Sequence, residues 1–189
     1  LRLAVVGGAP IPIEVQREFI ARTQVTIVDW YGCTGWASTT SPLWEPGNPQ
    51  KYGSIGKKLP FPEVEMQIVD ESGQLVAAGK TGELIARAPS IPAGFWRLPG
   101  KSQKDFQDGW FHTGDLARQD EDGYYFLVER KDDMIITAGF NVYPREVEEV
   151  LYTMPQVYEA AVVGAPDPVK GEVVKAFVVL RQGMSVDAD

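Results

Sequence analysis

The 189 residues are 44% hydrophobic and 23% charged, enough apolar material for a folded core and too much for a disordered chain. Eighteen basic against 26 acidic side chains leave a net charge of −8, so no overall basic field draws in a nucleic acid or an anionic membrane as main partner. One cysteine (Cys33) and one histidine (His112) exclude an intramolecular disulfide and a zinc site built from such ligands, and no apolar run is long enough for a transmembrane helix.

In chain order, "LAVVGGAPIPIEVQREFIAR" reads as a strand, a Gly-rich turn and a helix, with Pro10 and Pro12 where a helix can begin and Ile13, Gln16, Arg17 and Ile20 at helical spacing. "VTIVDWYG" follows as a short β-branched strand, so residues 1–32 read as a β-α-β unit. Residues 41–60 are rich in Pro and Gly and read as loop, with a subdomain boundary among them. "EVEMQIVD", "QLVAA", "GELIARA" and "YYFLVE" then read as short antiparallel strands between turn signals, the pattern of a small barrel-like sheet. "GKSQKDF" has room for a helical turn or two. Beyond it come a strand "MIIT", a helix opening at Pro144, and strands "EAAVVGA" and "EVVKAFVVL". Val147, Val150, Leu151 and Met154 give that helix one apolar face, and Glu146, Glu148 and Glu149 complement its N-terminus. The expected architecture is α/β plus β and α+β. It comprises a partial α/β region over 1–45, a barrel-like β subdomain over 46–131 and a compact α+β lobe over 132–189. The strand at its very start and the polar tail at its end read as a piece cut from a longer protein.

Three clusters have chemistry to offer. Small residues at Gly7-Gly8-Ala9-Pro10 let a flat ligand approach the backbone at a strand end, or simply make a tight turn. In "DWYGCT", an aromatic ring offers a stacking platform, Asp29 an acceptor for an exocyclic amine, and Thr34 a hydroxyl for a phosphate; a half-buried tyrosine beside a turn reads as well. Asp115 in "HTGD" suits the two vicinal hydroxyls of a ribose, and a hairpin corner explains the tripeptide equally. Arg130 either adds a second ribose contact or solvates a turn. His112 has no partner at catalytic spacing and reads as structural. The four successive charges in "VERKDDMIITAGFN" are either a solvated turn or a joint between moving parts.

In order, "GGAP", "YGCT", "GSIGKKLPFPEVEMQIVD", "GELIARAPSIPAGFW", "DGWFHTGDLARQDEDGYYFLVERKDD" and "AGFNVYPREVEEVL" resemble the adenylate-forming superfamily over almost the whole chain, with 108–151 the most specific part. The resemblance implies that Gly8, Ala9, Pro10 and Gly32 border the nucleotide, Tyr31 stacks on the base, Asp29 sits by the adenine amine and Thr34 by the α-phosphate. Asp115 holds the ribose with help from Arg130. It also implies that Asp132 is a hinge, that Gly139 and Phe140 reach a CoA channel in a second pose, and that Cys33 and Trp36 line an acyl pocket; Trp36 reads equally as a surface or core aromatic. The implied substrates are a small-molecule carboxylic acid, ATP and CoA. The "NVYPREVE" ending is closer to acyl-CoA synthetases than to peptide-synthetase domains. Transfer to a carrier-protein phosphopantetheine, or a degenerate nucleotide-binding protein without catalysis, are the rival expectations. The family pattern places a magnesium-binding Glu where this chain has Gly35, which offers no ligand. By the same resemblance a phosphate loop precedes Leu1 and a catalytic Lys follows Asp189, so these residues alone are expected to adenylate nothing. The expected compartment is cytoplasmic.

Overall fold

A computed structural model describes residues 1–33, 40–41 and 51–185. Thr34, Gly35 and Trp36 therefore lie outside the described residues.

Strand β1 (Leu3–Gly7), helix α1 (Ile13–Thr23) and strand β2 (Thr26–Trp30) form the expected unit, with β1 and β2 parallel and Val6 opposite Asp29. The side chain that α1 buries is polar. Gln16 is 3% exposed, and its Oε1 accepts the Gly53 N–H at 3.0 Å, which ties the helix to the next part of the chain. A buried amide is tolerable here because it has that partner.

A curled antiparallel sheet follows. Its strands are β3 (Thr40–Ser41), β4 (Ser54–Lys58), β5 (Glu65–Val69), β6 (Gly82–Arg87), β7 (Phe106–Gln107), β8 (Trp110–Gln119) and β9 (Tyr124–Arg130). They run in the order β3-β4-β9-β8-β6-β5, with β7 on β8, and helix α2 (Pro99–Asp105) precedes β7. The inner face packs Tyr31, Ile55, Met66, Ile68, Leu84, Phe111 and Tyr125 into one core. Leu84 and Ile55 are at most 1% exposed; burial of such a side chain contributes about 1.5–3 kcal/mol.

Three local expectations change. "QLVAA" is not a strand: only an isolated bridge joins Leu75 to Val69, and Leu75 is exposed. The segment instead follows the edge of β5 as a turn, where the Val76 N–H donates to the Ile68 carbonyl at 3.0 Å. Residues 54–58, read as loop, form β4 against β9. The "HTGD" segment is not a hairpin corner but the middle of β8, where Gly114 at φ 73° turns the backbone without breaking the strand.

The last part is an α+β lobe of strands β10 (Ile135–Thr137), β11 (Phe140–Val142), β12 (Val157–Asp167) and β13 (Gly171–Leu180), with helix α3 (Pro144–Tyr152). The sheet order is β11-β10-β13-β12. A two-residue turn joins β10 to β11, with Ala138 and Gly139 both at positive φ, the geometry that matches strand twist. The expected α/β, barrel-like and α+β parts are thus all present. Residues 131–134 link the two antiparallel sheets, and Lys131, Asp132 and Asp133 are exposed.

Candidate functional site

A cleft of about 300 Å³ opens where the carboxyl ends of β1 and β2 meet β8 and β9. Gly8, Ala9, Pro10, Asp29, Tyr31, Gly32, Cys33, Asp115 and Arg130, scattered over 120 residues of sequence, all line it. Parallel pairing explains the first half of the set: β1 and β2 end side by side, so the turn after Gly7 and the Asp29–Gly32 segment share one rim. Register explains the second half. Asp115 and Arg130 are direct partners across β8 and β9, and Arg130 Nη1 stands 3.4 Å from Asp115 Oδ1.

Tyr31 joins the halves. It is buried, belongs to the core of the curled sheet, and its hydroxyl donates to Asp115 Oδ2 at 2.5 Å. Burial and the neighbouring Asp115 carboxylate push the phenol upward, keeping it neutral. Tyr31 thus packs into the core below and lines the cleft above. Asp115 N–H donates to Thr113 Oγ1 at 3.0 Å, and Thr113 Oγ1 in turn donates to the Leu84 carbonyl at 2.7 Å. The Thr113 bonds fix the strand backbone at Asp115, and the Tyr31 hydroxyl holds its carboxylate. Burial raises its pKa, opposed by the Tyr31 hydrogen bond and Arg130. Asp29, also buried, is raised by burial and held down by the Ile11 amide and by Arg145. Burial pushes the Cys33 thiol up to about 11, so it is a neutral wall of the cleft rather than a nucleophile. Such a rim offers an acceptor pair for vicinal hydroxyls, a flat small-residue approach and a cation.

Not every expected residue is here. Gly139 and Phe140 stand in the β10–β11 hairpin, outside the cleft, and Phe140 is exposed. Asp132 lines an adjoining cavity of about 550 Å³ between the lobes, which shares Pro10, Glu129, Asp133 and Arg145 with the cleft. That cavity is rich in carboxylates already in use: Glu148 accepts the Val162 N–H at 2.8 Å, Glu149 the Ile13 N–H at 3.1 Å, and Glu172 the Ile136 N–H at 2.9 Å. His112 faces Glu83 at 3.5 Å, in keeping with a structural role.

Sequence reasoning missed Arg145. From the first turn of α3 it reaches the cleft, donates from Nη1 to the Leu127 carbonyl at 3.0 Å, and acts electrostatically on Asp29. Its only sequence signal was the i,i+4 relation to Glu149. Glu129, beside it in the cleft, accepts the Arg145 N–H at 3.0 Å.

Residues 1–96 match the family model of the AMP-binding enzyme, and residues 146–189 that of the AMP-binding enzyme C-terminal domain. The first match alone takes in 96 of the 189 residues, and the chain belongs to the AMP-binding enzymes. A long-chain-fatty-acid–CoA ligase from Bacillus subtilis is 39% identical over 97% of this chain and 32% of its own length. A feruloyl-CoA synthase from Amycolatopsis is 40% identical over the whole chain and 38% of its own length. The chain thus spans about a third of the curated relatives it matches. Among solved structures, ATP-bound MatB from Rhodopseudomonas palustris is 37% identical and superposes with a TM-score of 0.90 over 98% of this chain and 36% of that one. Apo MatB, at the same 37% identity over 98% and 37%, gives 0.74.

Proposed function

We propose that the full-length protein carrying these residues is an ATP-dependent acyl-CoA synthetase, an acid–thiol ligase that forms AMP. The observation that carries this reading is the convergence of Gly8–Pro10, Tyr31, Asp115 and Arg130 on one cleft in a chain of the AMP-binding family. Relatives named as CoA ligases for a fatty acid and for ferulate support the class.

In this reading the adenine lies along the Gly8-Ala9-Pro10 edge and against Tyr31, with its amine toward Asp29. Asp115 accepts both ribose hydroxyls. Its carboxylate is suited to this because it is held by the Tyr31 hydroxyl and flanked by Arg130, while Thr113 takes the backbone N–H behind it. The substrate carboxylate attacks the α-phosphorus of ATP, the bond to pyrophosphate breaks, and an acyl-adenylate remains. The thiolate of CoA then attacks the acyl carbonyl and AMP leaves with the oxygen. AMP is the better leaving group, so the mixed anhydride makes the acyl group reactive. The same reading assigns Thr34 to the α-phosphate and Trp36 with Cys33 to the acyl pocket; Thr34 and Trp36 lie outside the described residues, and Cys33 lines the cleft.

Among the described residues no group of three His, Cys, Asp or Glu side chains is placed to hold a metal, and magnesium carried by ATP calls for only one or two protein ligands. Gly35 supplies none. Asp132 serves as the hinge, swinging the α+β lobe so that Gly139 and Phe140 reach the thiol in a second pose. Superposition favours the ATP-bound over the apo structure of MatB, which supports reading the present arrangement as the adenylating one. No helix among the described residues is long and apolar enough to cross a membrane, and a cytoplasmic setting accords with the lone cysteine.

The test is product analysis of the full-length protein with ATP, a panel of carboxylic acids and either CoA or a phosphopantetheinylated carrier protein. Acyl-CoA and AMP are expected, with transfer to the carrier at least about tenfold slower. Preferential carrier loading, or ADP in place of AMP, overturns the assignment.

A further inference from the structure

Helix α1 has no side-chain cap of its own. Pro12 occupies the N-cap position and carries no acceptor, and Glu14 in the first turn pairs with Arg17 instead. The leading amide of such a helix is an unpaired donor at the positive end of the helix dipole. Its acceptor arrives from 136 residues away: Glu149 Oε2, on α3 of the other lobe, takes the Ile13 N–H at 3.1 Å. Arg145, one turn earlier on the same face, lies 3.8 Å from the other Glu149 oxygen and is itself anchored on the Leu127 carbonyl. The adjacent Glu148 points back into its own lobe, onto the Val162 amide. Two neighbouring acids of one helix therefore divide their work, one within the lobe and one across the boundary.

We propose that Glu149 is a latch: by capping α1 from the mobile lobe it selects the pose in which α3 and Arg145 close over the nucleotide cleft, and it positions that lobe for adenylation. The pose that delivers Gly139 to the cleft must break this bond, because α3 moves with the hairpin that carries Gly139. This inference rests on the two-pose reading above. A carboxylate on a helix N-terminus is suited to the task, being strong enough to bias two poses and weak enough to release.

In the full-length protein, Glu149→Ala is expected to slow ATP–pyrophosphate exchange roughly fivefold to tenfold. Thioester formation from preformed acyl-adenylate should hold or quicken. Glu149→Gln, which keeps an acceptor without the charge, should fall between. Ile13→Pro removes the donor at a helix position where proline fits, and Pro12 at φ −55°, ψ 138° already has the backbone that precedes a proline. It should reproduce Glu149→Ala, with Ile13→Ala as the packing control, and the double variant Ile13→Pro, Glu149→Ala should lose nothing more. Equal loss in both half-reactions, no change in either, or additive losses in the double variant overturn the latch. If the wild type exchanges no pyrophosphate with any acid, the synthetase reading falls, and trypsin decides the latch separately. Faster cleavage at exposed Arg130 and Lys131 in Glu149→Ala supports it, and an unchanged rate overturns it.

Discussion

Asp115→Ala is expected to raise the KM for ATP of the full-length protein about a hundredfold while leaving it folded. The carboxylate is offered two ribose hydroxyls, and two charge-assisted hydrogen bonds at about 1.5 kcal/mol each amount to a factor on the order of a hundred. The loss should fall on the nucleotide, with the KM for the carboxylic acid within about threefold of wild type. Tyr31→Phe is the control. It keeps the ring in the core and removes only the hydroxyl that donates to Asp115, so the effect should be no more than about fivefold. Pyrophosphate exchange at varied ATP reads both, and a melting curve checks the fold. If Asp115→Ala is no worse than Tyr31→Phe, the ribose assignment is wrong and the Tyr31–Asp115 bond is only a strut.

The second large effect is expected at the link between the sheets. Asp132 is exposed in a turn where the Asp133 N–H donates to the Arg130 carbonyl at 3.1 Å and the Lys131 N–H to Gly114 at 2.8 Å. Lys131 Nζ also meets Glu83 at 3.2 Å. All of these are surface contacts that water can replace at little cost, as a joint with two settings requires. Proline fixes φ near −65° and removes an N–H, so it freezes one setting. In Asp132→Pro, one half-reaction should drop by at least about a hundredfold and the other stay within about threefold of wild type. Separate assays of pyrophosphate exchange and of thioester formation from preformed acyl-adenylate give the two rates. Equal loss in both, or loss in neither, contradicts the hinge.

Much of this architecture was legible in the residues because local signals agreed with tertiary ones. The β-α-β unit showed as a strand, a Gly-Pro turn and a helical spacing, and α3 as a helix opening at Pro144, although Val150 and Met154 of its expected apolar face are exposed and Met154 lies past its end. What stayed hidden had a physical cause in each case. Strand β4 reads "SIGKK" among prolines and glycines, and it is held by pairing with β9 rather than by its own composition. Strand β8 is interrupted by Gly114, whose positive φ looks like a turn in sequence but acts inside the ladder. Gln16 sits where an apolar residue is expected, because its partner is a backbone amide 37 residues on.

The cleft was legible by residue type, since Asp29, Tyr31, Asp115 and Arg130 each carry a group that a nucleoside needs. Their meeting was not, because it depends on the β8–β9 register and on the parallel ends of β1 and β2. Arg145 and Glu149 escaped for a related reason. On a solvated helix face they look like any i,i+4 pair, and only the docking of α3 near α1 gives them partners in another part of the fold.

The central claim is that this cleft holds an acyl-adenylate, and a crystal structure of the full-length protein with a non-hydrolysable acyl-sulfamoyl adenosine tests it most directly. The expected result has both ribose hydroxyls on Asp115, the adenine between Gly8–Pro10 and Tyr31, and Arg130 beside the sugar. A nucleoside bound elsewhere, or one in this cleft with its ribose turned away from Asp115, contradicts the account.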